Sequence, residues 1–306
     1  MVLLDGACGT CLYEKAEQRG LERKPVWMYS IEAPDMVEEL AGEYIAAGTR
    51  IIQTNTFNAN PKTVEREGFD LEEVISAGVR IAQKAAGRTQ NANDKCRVSL
   101  DIGPLTDFLE PYGDMTEEEC SAIFAHIIKA GLFANHSDLS SVTGYNKTFD
   151  VDLITLETFI DLNMLRIAAG TAAAVAEDAL SKVQDPSKAE RFTVICSMSY
   201  QKDGKTLFGN TPEDLCSFAN EFAQAHPLID VVIGINCSFG PKAALDVLNT
   251  YSENSRLPLL FKPNAEEGIS AESFAELAAA AFEKADYTGS CCGSNPDFIR
   301  ALADIN

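Results

Sequence analysis

Three cysteines near the end of the chain form its most chemically informative pattern. Cys237 ends the apolar run Val231 to Asn236, and the adjacent pair Cys291 and Cys292 lies within Gly-Ser-Cys-Cys-Gly-Ser. Thiolates are good zinc ligands, and a site with three protein ligands keeps one position for an exchangeable group. The pattern therefore predicts a thiolate-rich zinc site with an open coordination position.

Three thiolates would give a bound zinc ion a net negative charge, which makes it a weak Lewis acid towards water and disfavours hydrolysis. Such a site is better suited to binding an incoming thiol, removing its proton and keeping the sulfur nucleophilic. The histidines His126, His136 and His226 lie on predicted helices or in a predicted loop, so we expect none of them to act as a ligand or base. The expected reaction is attack by a zinc-bound thiolate on an electrophilic carbon.

The spacing of the cysteines adds a fourth candidate ligand. Cys237 and Asn264 are 27 residues apart, and Asn264 and Cys291 are again 27 residues apart. One strand and one helix per interval would put these residues at the ends of three neighbouring strands. Asn264 would then lie between the thiols and offer a neutral oxygen to the metal.

Apolar runs that alternate with Ala-rich helical patterns indicate which elements position these residues. Eight such runs predict strands, and the patterns between them predict helices, which together are typical of a single (β/α)8 TIM barrel spanning residues 1–306. The predicted strands are Val2 to Asp5, Arg50 to Phe57, Arg97 to Gly103, Val151 to Phe159, Phe192 to Tyr200, Val231 to Cys237, Leu257 to Asn264 and Tyr287 to Cys292. The predicted helices include Pro34 to Ala47, Leu71 to Ala86, Thr116 to Phe133, Asn163 to Leu180, Pro212 to Ala225 and Ala271 to Ala285.

Local signals support two of the helix starts and mark one insertion. Thr116 followed by Glu119 predicts a capping box, and Thr211-Pro212 places proline at the first helical position. Residues 135–150 are polar and predict a loop inserted before the fourth strand, either a lid or, more commonly, a surface excursion.

Active sites of such barrels lie at the carboxyl ends of the strands, so the polar residues there are the candidates for function. Any single Asp or Asn could instead serve as a turn or cap residue. The candidates are Asp5, Asn55, Asp101, Glu157, Ser199, Cys237, Asn264 and the pair Cys291 and Cys292. Four other cysteines are expected to be buried and inert, namely Cys96, Cys120, Cys196 and Cys216.

Composition excludes several classes of partner. Asp and Glu outnumber Lys and Arg by 46 to 25, and the resulting formal charge of −21 disfavours binding to nucleic acid or to anionic membranes. No secretion signal or apolar run of membrane-spanning length is recognisable, so we expect a cytoplasmic protein. In that reducing compartment the nine cysteines are expected to be thiols or metal ligands rather than disulfides.

Motifs at the predicted strand ends resemble those of the zinc-dependent homocysteine S-methyltransferases, and most closely the homocysteine-binding barrel of the cobalamin-dependent methionine synthases. The resemblance covers nearly the whole chain, and its most specific parts are the Asn-Cys and Cys-Cys-Gly motifs at barrel spacing. The segments that match the family are Asp5 to Thr10, Gln53 to Phe57, Asp101 to Pro104, Leu156 to Thr158, Gly234 to Cys237, Gly240-Pro241, Lys262 to Ala265 and Gly289 to Ser294.

The resemblance implies a role for each group of candidate residues. The thiols would hold Zn2+, with Asn264 a candidate for the fourth position when substrate is absent. Glu157 would receive the amino group of L-homocysteine. The remaining implied contacts to the substrate or to its neighbours come from Asp5, Gly6, Ala7, Asn55 and Asn236.

Some residues depart from the family pattern. Cys8 occupies a position where the family usually has Met, and Cys11 follows about one helical turn later. Ser290 and Ser294 replace the common Gly and Thr around the cysteine pair. These changes affect the surroundings of the expected metal site more than its ligands.

No methyl donor is evident in the chain, because neither a second barrel nor a cobalamin-binding signature is present. We expect methylcobalamin, a methyl-corrinoid carried by a partner protein, to donate the methyl group. The alternative is S-methylmethionine or another small donor, with homocysteine or a related thiol as acceptor. A rival outside enzyme chemistry is a thiol redox or zinc-buffering protein in which Cys291, Cys292, Cys8 and Cys11 are oxidised and reduced.

Overall fold

A computed structural model describes residues 1–88, 95–135, 148–182 and 191–306. Eight parallel strands form one sheet in the order β1-β8-β7-β6-β5-β4-β3-β2. The strands are β1 Val2–Leu3, β2 Ile51–Gln53, β3 Arg97–Ile102, β4 Leu153–Phe159, β5 Phe192–Met198, β6 Ile229–Asn236, β7 Leu259–Lys262 and β8 Tyr287–Thr288. A parallel bridge between Leu4 and Ile51 joins the two ends of the sheet. The predicted (β/α)8 barrel is therefore confirmed.

Helices follow the strands and cover the outside of the sheet. They are α1 Cys8–Gln18, α2 Tyr29–Glu32, α3 Pro34–Ala46, α4 Pro61–Arg66, α5 Leu71–Ala86, α6 Glu117–Leu132, α7 Leu162–Ser181, α8 Pro212–Ala225, α9 Pro241–Asn254, α10 Ala271–Ala278 and α11 Pro296–Ile305. Both predicted helix starts are confirmed, since Thr116 and Thr211 form capping boxes and Pro212 opens its helix. No helix in the described parts of the chain is long and apolar enough to cross a membrane.

Apolar side chains fill the barrel below the rim of polar strand ends. One cluster inside the barrel is made of Leu4, Ile51, Leu153, Ile195, Val232 and Leu260, all essentially inaccessible to solvent. Each precedes a rim residue along its strand. The larger core lies between the strands and the helices and is continuous around the barrel.

Several strands end earlier than predicted, and the difference matters for function. The predicted second strand ran to Phe57, but pairing stops at Gln53. The hydroxyls of Thr54 and Thr56 then bond to each other at 2.6 Å and to backbone atoms of Asp101, which replaces the strand ladder by side-chain bonds. Strand β8 likewise ends before the paired cysteines. The residues released from pairing form the rim.

Most of the predicted insertion at 135–150 lies outside the described residues, as do residues 89–94 of a second polar stretch. The two ends of the insertion are held together, because Asn135 donates from its backbone N–H to Asp150 Oδ2 at 2.9 Å.

Candidate active site

The three predicted metal-binding cysteines converge at one edge of the barrel rim. Their sulfur atoms all lie within 4.8 Å of one another, and Cys237 Sγ and Cys292 Sγ are 3.2 Å apart. Thiolates at about 2.3 Å from a tetrahedral zinc ion would be roughly 3.8 Å apart. The donor set and its spacing therefore fit zinc with only small adjustments of the side chains.

Backbone contacts hold the loops that carry these cysteines. Cys237 follows β6 with a φ of 51°, and its carbonyl accepts a hydrogen bond from Ser199 Oγ at 2.9 Å. The N–H of Cys291 donates to the carbonyl of Pro263 at 2.9 Å, and the carbonyl of Cys292 accepts from Ala265 at 2.9 Å. The loops after β7 and β8 are therefore tied together beside the thiols.

Hydrogen bonds among the thiols shift their acidities in opposite directions. The bonds to Cys237 and Cys291 lower the pKa of Cys292, whereas the bonds to Cys291 and Cys292 raise the pKa of Cys237. Cys292 is thus the thiol that ionises most readily. The thiolate is the form in which a cysteine binds metal, so this shift suits Cys292 to the predicted role of a ligand.

Asn264 lies in the loop after β7, between the loops that carry the thiols, as the spacing predicts. Its backbone N–H donates to the carbonyl of Phe239 at 2.8 Å. Its side-chain oxygen is buried and has no hydrogen-bond partner among the described residues. The side chain borders a cavity next to the central one, and Cys292 borders both. Its role as a fourth metal ligand stays a prediction.

The thiol cluster opens into a central cavity of about 550 Å³, a size suited to a small molecule. Three carboxylates line the same cavity, on Asp5, Asp101 and Glu157, and all three residues are buried. Burial raises the pKa of Asp5 to about 6, although Lys262 opposes the shift. A cavity with thiols at one side and buried carboxylates at another can bind a cation that also carries a sulfur atom.

Lys262 also lines the cavity, although the sequence pattern indicates it only as part of the motif Lys262 to Ala265. Its side chain is 2% exposed, and its Nζ lies 3.0 Å from Glu157 Oε2 and 3.7 Å from Asp5 Oδ1. It also donates to Gln53 Oε1. Burial disfavours the ammonium form, but Glu157 and Asp5 outweigh this effect and raise the pKa of Lys262. A lysine at the end of an apolar, buried strand was the available signal.

Glu157 lies at the end of β4, where Asn236 fixes the backbone. Thr158 has a φ of 63°, in the left-handed region that is costly for a branched residue. Its N–H donates to Asn236 Oδ1 at 2.9 Å, its Oγ1 accepts from Asn236 Nδ2 at 2.7 Å, and Ser197 Oγ also donates to Oδ1 at 2.7 Å. Asn236 is fully buried and thereby orients the segment that presents Glu157.

Asn55 similarly holds neighbouring loops rather than extending freely into the cavity. Its Nδ2 donates to the carbonyl of Val26 at 2.8 Å and to Ser30 Oγ at 3.0 Å. Its Oδ1 lies 3.6 Å from the sulfur of Cys8. A direct bond from Asn55 to substrate stays a prediction.

The loop after β1 packs tightly against the loop that carries the paired cysteines. The N–H of Ala7 donates to Ser294 Oγ at 3.1 Å, and its carbonyl accepts from Tyr44 at 2.9 Å. A Cβ at Gly6 would lie 2.7 Å from both Ser290 Oγ and Ser294 Oγ, so the close approach requires glycine. The two serines that depart from the family pattern thus connect the first and last loops of the barrel.

The remaining cysteines divide into two groups. Cys8 borders the central cavity, while Cys11 is buried beside Tyr44, and both are free thiols. Four core cysteines are buried as expected, and burial raises the pKa of each to about 12; they are Cys96, Cys120, Cys196 and Cys216.

Comparisons with known proteins agree with this architecture. Methionine synthase of Mycobacterium leprae (strain TN) is 25% identical over 320 residues, which cover 98% of this chain and 24% of that protein. The chain therefore spans about a quarter of the length of this relative. The metallated form of the homocysteine methyltransferase MmuM from Escherichia coli superposes with a TM-score of 0.76 at 21% identity, covering 100% of this chain and 96% of that one.

The apo form of the same Escherichia coli protein gives a TM-score of 0.71 at 20% identity, again over 100% of this chain and 96% of that one. At such identities the superpositions show a shared fold. The family model described as homocysteine S-methyltransferase matches residues 2–305. Because this match spans nearly the whole chain, the protein belongs to the homocysteine S-methyltransferase family.

Proposed function

We propose that the protein transfers a methyl group to the thiol of L-homocysteine and forms methionine, with zinc held by Cys237, Cys291 and Cys292. The observation that carries this proposal is the single cavity that joins a three-thiol cluster to buried carboxylates. In the reaction the acceptor sulfur loses its proton and gains the methyl group. The donor keeps the electron pair of the bond that breaks.

Zinc, when bound, would favour the thiolate form of the acceptor at neutral pH. The protein contributes a donor set whose three sulfurs lie within 4.8 Å of one another, and Asn264 is the proposed fourth ligand before the acceptor arrives.

The cavity offers separate partners for the two charged ends of an amino acid. Among the described residues, Gln53 and Lys262 both donate to Oε2 of Glu157, which leaves Oε1 for the ammonium group. The helix α1 begins at Cys8 beside the cavity and has no side-chain cap or acidic residue in its first turn. Its free N–H groups and positive end suit a carboxylate.

The donor is proposed to be methylcobalamin on a corrinoid partner protein, which is consistent with the match to a much longer methionine synthase. S-methylmethionine or another small donor is the alternative. The two differ in what purified protein can do alone, because a small donor needs no partner. The redox or zinc-buffering rival predicts reversible oxidation of Cys8, Cys11 or the paired cysteines and no response of the metal to homocysteine.

Zinc content and zinc-edge absorption spectra, each with and without L-homocysteine, test the acceptor half of the proposal. We expect about one zinc per chain and a rise from three to four sulfur ligands on adding homocysteine. The variant Cys291→Ser should lose most of its zinc, while Cys216→Ala, which removes a buried thiol from the outer helix α8, should keep it. A zinc-free protein, or a zinc spectrum that homocysteine leaves unchanged, would exclude this acceptor.

A second measurement identifies the donor. Methionine formation is followed with methylcobalamin and with S-methylmethionine as alternative donors, at equal concentrations and with zinc-loaded protein. Turnover with methylcobalamin alone supports the corrinoid donor. Full-rate turnover with S-methylmethionine and none with methylcobalamin would refute it.

A further inference from the structure

Asp101 borders the central cavity from a rigid position near the end of β3. Its N–H donates to Thr54 Oγ1 at 3.0 Å, and its carbonyl accepts from Thr56 Oγ1 at 2.7 Å. The residue is 6% exposed. Its backbone is therefore fixed on both sides, and its carboxylate has a defined place in the cavity wall.

Among the described residues the cavity has three buried carboxylates and one buried cation, because Arg66, which also borders it, is exposed and pairs with Glu67. Lys262 is the cation that lies among Asp5, Glu157 and Asp101, and it forms ion pairs with the first two. The atom Asp101 Oδ1 is buried without a hydrogen-bond partner among the described residues. Burial, and then the charge of Glu157, raise the pKa of Asp101 strongly.

A buried carboxylate oxygen without a hydrogen-bond partner destabilises the folded protein unless a ligand supplies the missing partner. The missing partner is best a cation that donates hydrogen bonds, because Lys262 already pairs with Asp5 and Glu157 and a further cation would favour the ionised form of Asp101. The ammonium group of an amino acid meets both conditions. It would contact Asp101 on one side and the free oxygen of Glu157 on the other.

We propose that Asp101 is a second receptor for the ammonium group of the acceptor and makes the site selective for an amino-acid thiol over the same thiol acid without its amino group. This inference rests on the proposed function, since it needs a thiol acceptor at the cysteine cluster. Lys262 sharpens the selectivity, because it occupies one oxygen of Glu157 and makes the ammonium depend on Asp101.

The test is calorimetric binding of L-homocysteine and of 4-mercaptobutanoate, which lacks only the amino group, to zinc-loaded protein. The variant Asp101→Asn keeps the shape of the side chain and cannot become negatively charged when a cation binds. A hydrogen bond to a charged group predicts that D101N binds homocysteine about tenfold or more weakly, with less than about a twofold change for 4-mercaptobutanoate. The matched control is Asp161→Asn, which changes a buried carboxylate that caps α7 and does not border the cavity.

A purely structural role for Asp101 predicts a different result. D101N should be at least as resistant to heat as the wild type at pH 7, because it replaces a buried carboxyl group that is costly to ionise. Unchanged homocysteine binding in D101N, or equal weakening of both ligands, would overturn the inference. If the Asn variant does not fold, Asp101→Ala supplies the same comparison.

The same experiment separates this inference from the proposed function. A zinc-loaded wild-type protein that fails to bind homocysteine refutes the proposed acceptor, and the inference with it. A wild-type protein that binds homocysteine beside a D101N variant that binds it equally well refutes the inference alone.

Discussion

Replacing Asn236 by Ala should both destabilise the protein and weaken its binding of the acceptor. The side chain accepts hydrogen bonds from Thr158 N–H and Ser197 Oγ and donates one to Thr158 Oγ1, at 2.7 to 2.9 Å, and its Nδ2 also makes a longer contact of 4.0 Å to Cys291 Sγ. Loss of three short hydrogen bonds, at a net ~0.5–1.5 kcal/mol each, gives an expected loss of about 1.5–4.5 kcal/mol. Thr158 would also be free to leave its left-handed conformation, which would move Glu157.

Urea unfolding measures the loss of stability, with the fluorescence of the single, buried Trp27 as the signal. Ser197→Ala is the graded control, because it removes one of the three bonds and leaves Thr158 in place. It should cost about 1 kcal/mol and leave the affinity for homocysteine unchanged.

A double-mutant cycle tests the physical reason. Thr158→Gly permits the positive φ without strain, so in the N236A background it should restore part of the homocysteine affinity. The reasoning would be refuted if N236A lowered stability but left homocysteine binding at the wild-type level. Additive effects of the two substitutions would likewise show that Asn236 does not act through Thr158.

Three further predictions concern packing, protonation and metal. Gly6→Ala should cost about 1–3 kcal/mol, since its Cβ would meet Ser290 Oγ at 2.7 Å, whereas Gly9→Ala, whose Cβ would lie 3.6 Å from Val26, should be neutral or stabilising in thermal unfolding. The pKa of Asp5 is raised from 3.8 to about 6 in the folded protein, so protonation of Asp5 stabilises the fold fully below pH 4, and this stabilisation is lost as the pH rises through 6. Between these two pH values the free energy of unfolding of the metal-free wild type should fall by roughly 3 kcal/mol relative to that of Asp5→Asn. Urea unfolding at each pH measures the difference. Removal of zinc by a chelator should lower the thermal midpoint, because an ion that binds only the folded protein stabilises it by about 3–4 kcal/mol at 100 to 1,000 times its dissociation constant.

The topology and the cysteine cluster could be predicted because each depends on a repeating pattern. Apolar runs fix the number of strands, and the equal intervals around Asn264 fix which strand ends are neighbours. The three cysteines then meet through topology alone, without any knowledge of side-chain conformations. Three of the four core cysteines lie inside a helix or a strand, namely Cys120, Cys196 and Cys216, whereas Cys96 directly precedes β3.

Side-chain networks could not be predicted in the same way. The position of Lys262 at the end of an apolar strand indicates a buried lysine, but nothing in the spacing shows that it pairs with Glu157. The early end of β2 depends on the bond between Thr54 and Thr56, which is a local choice between side-chain and ladder bonds. Asn236 was expected to bond the substrate or to support the site, and the structure reveals bonds of the second kind.

The energetically unfavourable features of the described chain lie mainly around the central cavity. The two non-glycine residues with positive φ in the described chain, Thr158 and Cys237, flank the cavity that also holds the unpartnered Asp101. Each of these features costs stability and persists only because surrounding bonds impose it. Such costs are expected where a site is built to receive a ligand that supplies the missing contacts. Ligand binding should therefore stabilise this protein more than its contact area alone would suggest, and D101N should lose that gain while becoming more stable without ligand.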